Sequence, residues 1–441
     1  MTYDQAIQFL YGLQLFGAKF GLESTRKLAA LAGNPQEPLR FIHVAGTNGK
    51  GSTCAMLESI YRASGLRVGL FTSPHLVRFG ERIQVNRRLI PEAEVVRLVE
   101  GMQPLLAEFP REQHPTFFEV VLVMALQYFA AQKCDLVILE TGLGGRLDAT
   151  NIVTPLASVI TPVQFDHERW LGQTLTAIAG EKAGIIKPGV PVVTSPQEPE
   201  ALAVIRAKAL ATRSPLIEVM GKDTQATPLR DLRLPLPGPH QKLNAAVAVA
   251  TVRTLAPQLP VTGQALRAGL EHVSWPGRLQ LIQRPNGQRV LLDGAHNPGG
   301  AVTLRGALAE SFAEQSPALI LGVRGDKEWE RISEILAPVT HRLACVALGS
   351  EHTLPPARLA EACRRVNPAA TVETHPTVAA ALAGLSDEPF VVVAGSLYLI
   401  GEAMEALGLE ASPGGNESGL NEWLGKNSNA EPDAGSERPL K

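Results

Sequence analysis

Val44-Ala45-Gly46-Thr47-Asn48-Gly49-Lys50-Gly51-Ser52-Thr53 is the stretch that decides the fold. The apolar run 41–44 predicts a buried strand, and Cys54-Ala55-Met56-Leu57-Glu58-Ser59-Ile60-Tyr61 predicts a helix. A Gly-rich turn between strand and helix offers backbone N–H groups and a positive helix end to phosphate oxygens, and Lys50 adds a full charge. Gly51 separates Lys50 from Ser52, and the first glycine comes later than in the usual loop. The flanking strand and helix nevertheless favour a phosphate loop over an ordinary Gly-rich turn.

A chain of 441 residues is long enough for two or three domains with sizeable cores. The formal net charge of −2 leaves no basic excess, so nothing points to a nucleic-acid partner. Cys54, Cys134, Cys345 and Cys363 form no close pair in sequence, which suits a reducing compartment and no metal cage. The first residues carry no basic-then-apolar pattern, and no apolar run is long enough to span a bilayer. The expected location is the cytoplasm.

Residues 4–32 read as two amphipathic helices, the first with Ile7, Leu10, Leu13 and Leu15 on its apolar side. Strands are expected at 67–71, 136–139 and 157–160, and helices at 94–108 and 117–131. Continuous apolar strands separated by helices indicate a mostly parallel sheet covered on both faces. Trp275-Pro276-Gly277-Arg278 reads as a hinge, beyond which the alternation restarts. Strands at 289–292, 318–322, 343–348 and 390–393 alternate with helices at 301–310, 329–336, 356–365 and from 397. The expected division is a domain at 1–275, a smaller one at 276–410, and a tail at 411–441. The tail is rich in Gly, Ser, Asn, Glu and Pro with few large apolar residues, so it is expected to be disordered. Removing residues 412–441 should then leave folding and activity intact.

Four further motifs carry candidate chemistry. In Leu139-Glu140-Thr141-Gly142-Leu143-Gly144-Gly145-Arg146-Leu147-Asp148-Ala149-Thr150-Asn151, Glu140 stands at the carboxyl end of a strand, where a nucleotide-binding fold holds Mg²⁺. A dinucleotide fingerprint is the rival; it fails at Leu147, and Asp148-Ala149-Thr150-Asn151 is a poor helix opening. Phe165-Asp166-His167-Glu168 puts a histidine beyond another strand's carboxyl end, where ligand and structural roles both stand open. Gly180-Glu181-Lys182-Ala183-Gly184-Ile185-Ile186-Lys187 reads by itself as a helix end capped near Gly184, with a solvated Lys182. Leu292-Asp293-Gly294-Ala295-His296-Asn297-Pro298 sets an acid and a histidine before a helix, with Asn297 as N-cap and Pro298 at the first helical position.

Taken in order, the phosphate loop, Thr72-Ser73-Pro74-His75-Leu76, residues 140–151, Asp166-His167, Glu181-Lys182-Ala183-Gly184-Ile185 and residues 293–298 resemble folylpolyglutamate and dihydrofolate synthases. Gly395-Ser396-Leu397-Tyr398-Leu399-Ile400-Gly401-Glu402 is similar too, and the resemblance covers roughly residues 1–408. These enzymes are members of the Mur ligase superfamily of ATP-dependent amide-forming enzymes, in which Gly51 is usual. The resemblance implies an α/β fold with an N-terminal P-loop Mur-ligase-type ATP-binding domain and a smaller C-terminal Rossmann-like α/β domain.

The same resemblance implies the site. ATP would lie on Gly46, Thr47, Asn48, Gly49, Lys50, Gly51 and Ser52, with Asn244, Arg278, Asp293 and His296 as further nucleotide contacts. Ser73, Glu140 and His167 would hold one Mg²⁺, and Lys182, carried as a carbamate, would help to hold a second. Catalytic roles would fall to Lys50, Lys182, His167 and Arg278, and substrate contacts to Pro74, His75, Arg82, Arg146 and Asp148. The implied reaction joins L-glutamate to dihydropteroate and to reduced folates through an acyl phosphate, in a monomer that binds only small molecules. The alternatives are a single-activity folylpolyglutamate synthase, another Mur-type ligase, or a nucleotide-hydrolysing switch, whose phosphate release would not depend on a carboxylate acceptor.

Overall fold

The computed structural model describes residues 1–17, 21–195, 198–313, 316–410 and 417–421. The first sheet contains β1 (Phe41–Ala45), β2 (Val68–Phe71), β3 (Ile83–Val85), β4 (Arg88–Leu89), β5 (Leu136–Glu140), β6 (Ala157–Ile160), β7 (Val192–Thr194) and β8 (Leu216–Glu218). Their order is β4-β3-β2-β5-β1-β6-β7-β8, parallel except for the β3–β4 edge. β1 and β5 are buried at every residue, because helices cover both faces of the sheet. Their carboxyl ends deliver the loop at Gly46 and the carboxylate of Glu140 to the same rim.

The helix Lys50–Ala63 is the best-covered element on one face, buried continuously from Ser52 to Tyr61. It packs under the helices Pro239–Thr254 and Gly263–Glu271. A Cβ on Gly269 would come 2.4 Å from the Ile60 Cα, so those helices meet backbone to backbone. On the opposite face the apolar helix Phe117–Ala131 shares a core with Phe71, Phe79 and Met102.

The second sheet is built from β9 (Gln280–Gln283), β10 (Arg289–Leu292), β11 (Ala318–Leu321), β12 (Arg342–Val346), β13 (Thr371–His375) and β14 (Phe390–Ala394). The order β13-β12-β11-β14-β10-β9 is parallel apart from β9. Helices on both faces enclose its two apolar layers. Asn297 caps the helix Pro298–Ser311 by accepting from the Gly300 N–H, with Pro298 at the first helical position. The four cysteines are buried free thiols.

Several expectations need correction. The first helix stops at Gly12, and Leu15 lies in a following 3₁₀ turn with 68% of its surface exposed rather than on an apolar helix face. Asp148 does open a helical turn, Ala149–Ile152, with its carboxylate accepting from the Thr150 N–H. Residues 411–416 and 422–441 of the tail lie outside the described residues. Glu417–Asn421 between them is a 3₁₀ turn with Glu417, Leu420 and Asn421 buried, contrary to the expected disorder. No helix among the described residues is long and apolar enough to cross a membrane.

Candidate active site between the two sheets

The carboxyl ends of the strands in both sheets border a cavity of about 1380 Å³. The phosphate loop forms one wall, and its glycines have physical reasons. Gly46 has φ 149°, and a Cβ there would stand 1.8 Å from the Thr161 Oγ1. Gly49 has φ 89°, with Asn244 Oδ1 just 2.7 Å from where its Cβ would be. The inserted Gly51 makes room for Trp275, whose indole nitrogen would lie 2.9 Å from an added Cβ. Lys50 folds back so that its Nζ donates to the carbonyls of Gly46 and Thr47, each at 3.2 Å.

A second charged group faces the loop. The Lys182 Nζ donates to the Gly46 carbonyl at 2.8 Å, and the side chain is buried rather than solvated. Burial, followed by the nearby charge of Lys50, lowers its pKa to about 7. Glu140 accepts from the Ser73 N–H at 3.3 Å; burial outweighs Lys50 and raises its pKa to about 7. His167 adopts φ 55° and is pushed down to about 3 by burial.

The second sheet contributes the opposite wall. Asp293 is pinned by the N–H groups of Leu279 at 2.9 Å and Ala295 at 3.0 Å. Arg278 lies against Gly294, whose Cβ would fall 2.2 Å from the Arg278 Nη1. Burial lowers the Arg278 pKa, while Asp293 and Glu140 oppose that shift by favouring its charge. His296 Nδ1 bonds the Gly294 carbonyl at 2.7 Å, and its Nε2 stands 3.6 Å from Asp166.

Gly46, Thr47, Asn48, Gly49, Lys50, Gly51, Ser52, Asn244, Arg278, Asp293 and His296 all line this cavity, as do Ser73, Glu140, His167 and Lys182. Of the expected substrate contacts, Pro74 and Arg82 line it, whereas His75, Arg146 and Asp148 do not. Arg146 pairs with Glu181 at 2.7 Å near the surface. Asp148 is buried and accepts from the N–H groups of Leu143 at 2.7 Å and Thr150 at 3.0 Å. His75 is buried between Arg82 and the carbonyl of Glu417.

The sequence reading missed the seam joining the two walls. Lys327, in the loop after β11, donates to Asp166 at 2.6 Å and lies 3.4 Å from the His167 Nε2. Asn297 bonds Asp166 at 3.1 Å and Asn48 at 3.2 Å, and Asn48 bonds Gln164 at 2.6 Å. Charged Asp326-Lys327 beyond a buried strand was the available signal, since strand carboxyl ends are where sites assemble.

Among the described residues no cluster of three or more His, Cys, Asp or Glu gathers to hold a metal. The donor set is nevertheless compatible with Mg²⁺, which takes one or two carboxylates, phosphate oxygens and water. Glu140 and the hydroxyl-bearing Ser73 supply the oxygen chemistry beside a phosphate loop.

A phosphate-loop sheet and a second α/β sheet sharing one cavity define an ATP-dependent ligase of the Mur type. Residues 277–397 match the family described as "Mur ligase, glutamate ligase domain". The chain is 35% identical over 428 residues to the dihydrofolate synthase/folylpolyglutamate synthase of Bacillus subtilis, covering 92% of this chain and 99% of the relative. The structure of Mycobacterium tuberculosis folylpolyglutamate synthase complexed with ADP superposes with TM-score 0.83 at 30% identity, covering 92% of this chain and 99% of that one. Escherichia coli FolC in complex with DHPP and ADP gives TM-score 0.81 at 31% identity, covering 93% and 98% respectively. The chain belongs to the folylpolyglutamate synthase/dihydrofolate synthase family.

Proposed function

We propose that this chain joins L-glutamate to dihydropteroate and to reduced folates or folylpolyglutamates, cleaving ATP to ADP and phosphate. The acceptor carboxylate attacks the γ-phosphorus, ADP leaves, and an acyl phosphate forms. The α-amine of glutamate then attacks the acyl carbon, loses a proton, and displaces phosphate to leave an amide. A free carboxylate is a poor electrophile at neutral pH, which is why activation by phosphoryl transfer is needed. The observation carrying this reading is the convergence of Lys50, Glu140 and Lys182 from one sheet with Arg278 and His296 from the other.

In this reading the N–H groups at the start of the helix Lys50–Ala63 and the Lys50 charge cradle the triphosphate. Arg278, fixed against Gly294, neutralises charge developing during transfer. Ser73, Glu140 and His167 would hold Mg²⁺, which when bound neutralises phosphate charge. Lys182, with its amine held toward the neutral form, is suited to react with CO₂ and become a carbamate. That conversion releases a proton and replaces the amine by an anion, which would serve a second Mg²⁺ and the acceptor's position. The seam of Asp166, Lys327 and Asn297 keeps the domains together and water away from the acyl phosphate. We divide the chain at 275/276 and read it as a cytoplasmic monomer whose buried thiols stay reduced.

The test is ADP release with ATP, Mg²⁺ and L-glutamate, comparing dihydropteroate with tetrahydrofolate. Release with both, and products heavier by a glutamyl residue, is the expected result. Release with one assigns a single activity, and release with neither from folded, ATP-binding protein rejects the substrate assignment.

A further inference from the structure

The segment Glu417–Asn421 lies beyond the catalytic sheets, yet two of its residues line the cavity. Leu420 and Asn421 stand at the end bordered by Leu15, Phe16, Arg82 and Phe117. Glu417, Gly419, Leu420 and Asn421 each make specific contacts. The Glu417 carboxylate accepts from the Phe79 N–H and from the Tyr3 hydroxyl, the latter at 3.2 Å. The Gly419 carbonyl accepts from the Gln14 Nε2 at 2.9 Å, and a Cβ on Gly419 would lie 2.5 Å from the Tyr11 hydroxyl. Leu420 is 1% exposed and belongs to the core beneath the first sheet.

Arg82 and His75 are the groups on which this turn is seated. The Arg82 Nε can only donate, so His75 Nδ1, 2.9 Å away, accepts. His75 Nε2 therefore carries the proton, and it donates to the Glu417 carbonyl at 2.8 Å. Asn421 closes the ring: its Oδ1 accepts from the Arg82 Nη2, and its Nδ2 donates to the His75 carbonyl at 3.0 Å. The guanidinium also faces the Phe117 ring at 5.3 Å. Arg82 Nε and Nη2 and both ring nitrogens of His75 are taken up by this ring of hydrogen bonds, so both groups serve the chain's own segment.

We propose that Glu417–Asn421 is the floor of the acceptor end of the cavity, that Leu420 and Asn421 determine which acceptors fit, and that Arg82 and His75 are positioning residues that hold this floor. The proposal rests on the ligase reading. The surrounding chemistry suits a flat heteroaromatic acceptor: Leu420 lies with Phe16, Phe117 and Phe118, while the Asn421 amide is committed to Arg82 and His75. The turn also fixes Gln14, next to Leu15 and Phe16, so a single short segment sets two walls of the same end. Neither the phosphate loop nor Arg278 is touched by it in any of these contacts.

The test compares the full chain with Leu420→Ala, Asn421→Ala and a chain ending at residue 410, using dihydropteroate and tetrahydrofolate as acceptors. The expected result is an acceptor KM raised about fivefold or more, with ATP and glutamate KM values within about twofold. Leu420→Met, which keeps volume, should restore the acceptor KM. Should the shortened chain fail to fold, the two point variants carry the decision. An unchanged acceptor KM in folded point variants overturns the floor and leaves the turn as packing. A lowered KM also overturns it, because the segment would then be competing with the acceptor. A full chain that turns over neither acceptor rejects the ligase reading and the floor with it; an active full chain with unshifted variants rejects only the floor.

Discussion

His43 illustrates how a single buried group ties the first sheet to solution conditions. It lies within β1 at 0% exposure, its Nε2 bonds the Thr150 Oγ1 at 2.8 Å, and Nδ1 has no hydrogen-bond partner among the described residues. Burial, then the charge of Lys187, pushes it down from 6.5 to about 3. The unfolded chain thus binds a proton that the folded chain refuses throughout that interval. Its contribution to stability is complete above pH 6.5 and is lost progressively as pH falls toward 3. His43→Asn should remove about 1.4 kcal/mol per pH unit from the slope of stability against pH across that window. Denaturant melts at several pH values test this; parallel curves for the two proteins would reject it. Lys182 is the corresponding case for chemistry, because its amine is held at the Gly46 carbonyl. Lys182→Ala should lower turnover about a thousandfold while nucleotide binding, measured by titration calorimetry, persists. Full turnover in that variant would remove Lys182 from the mechanism.

At the scale of elements, the helix Leu397–Ala406 is set by how closely it approaches the first domain. A Cβ on Gly401 would lie 2.1 Å from the Leu76 carbonyl, which is backbone and cannot swing aside. Gly401→Ala should therefore destabilise the fold by about 1–3 kcal/mol. A Cβ on Gly306, in the helix Pro298–Ser311, would meet no other atom of the described residues within 4 Å beyond its own helix backbone and chain neighbours, so Gly306→Ala should gain about 0.5–1 kcal/mol instead. Thermal melts of the pair decide this, and equal shifts of one sign would mean that contact is irrelevant. The same elements explain what was legible in sequence. β1, β5, β6, β10 and β14 are largely apolar runs ending in polar turns, and reading their carboxyl ends located Gly46, Glu140 and Asp293. β8 and β13 escaped notice because no residue of either is fully buried, so no sharp apolar pattern marks them. The tail misled for a different reason. Averaged composition says that it cannot fold alone, but Leu420 needs only the existing core around Tyr3 and Phe79 to be buried.

At the scale of the molecule, the sequence could not reveal which charges meet across the domains, since Asp166 and Lys327 are joined only by tertiary folding. Asp166 is 8% exposed in its side chain and Lys327 11%, and the pair sits 2.6 Å apart. Burial alone would push the Asp166 carboxyl up; the nearby His296 imidazole, 3.6 Å away, and the charge of Lys327 overcome it and hold it well below the usual range. A buried ion pair of this kind contributes little against an apolar replacement, but removing one partner strands the other. Lys327→Ala should thus lower kcat/KM about tenfold or more, because the stranded carboxylate opposes the closed arrangement of the domains. Asp166→Asn should be harmful as well, since Lys327 then loses its counter-charge beside His167. The double variant removes both charges together, and its loss should be smaller than the sum by about 0.5–3 kcal/mol of coupling. Independent domains touching by chance would instead give additive losses. A double-mutant cycle on kcat/KM, repeated on thermal stability, separates the two cases: coupling in both places the pair in the closed state that turns over, whereas coupling in stability alone confines it to holding the domains together.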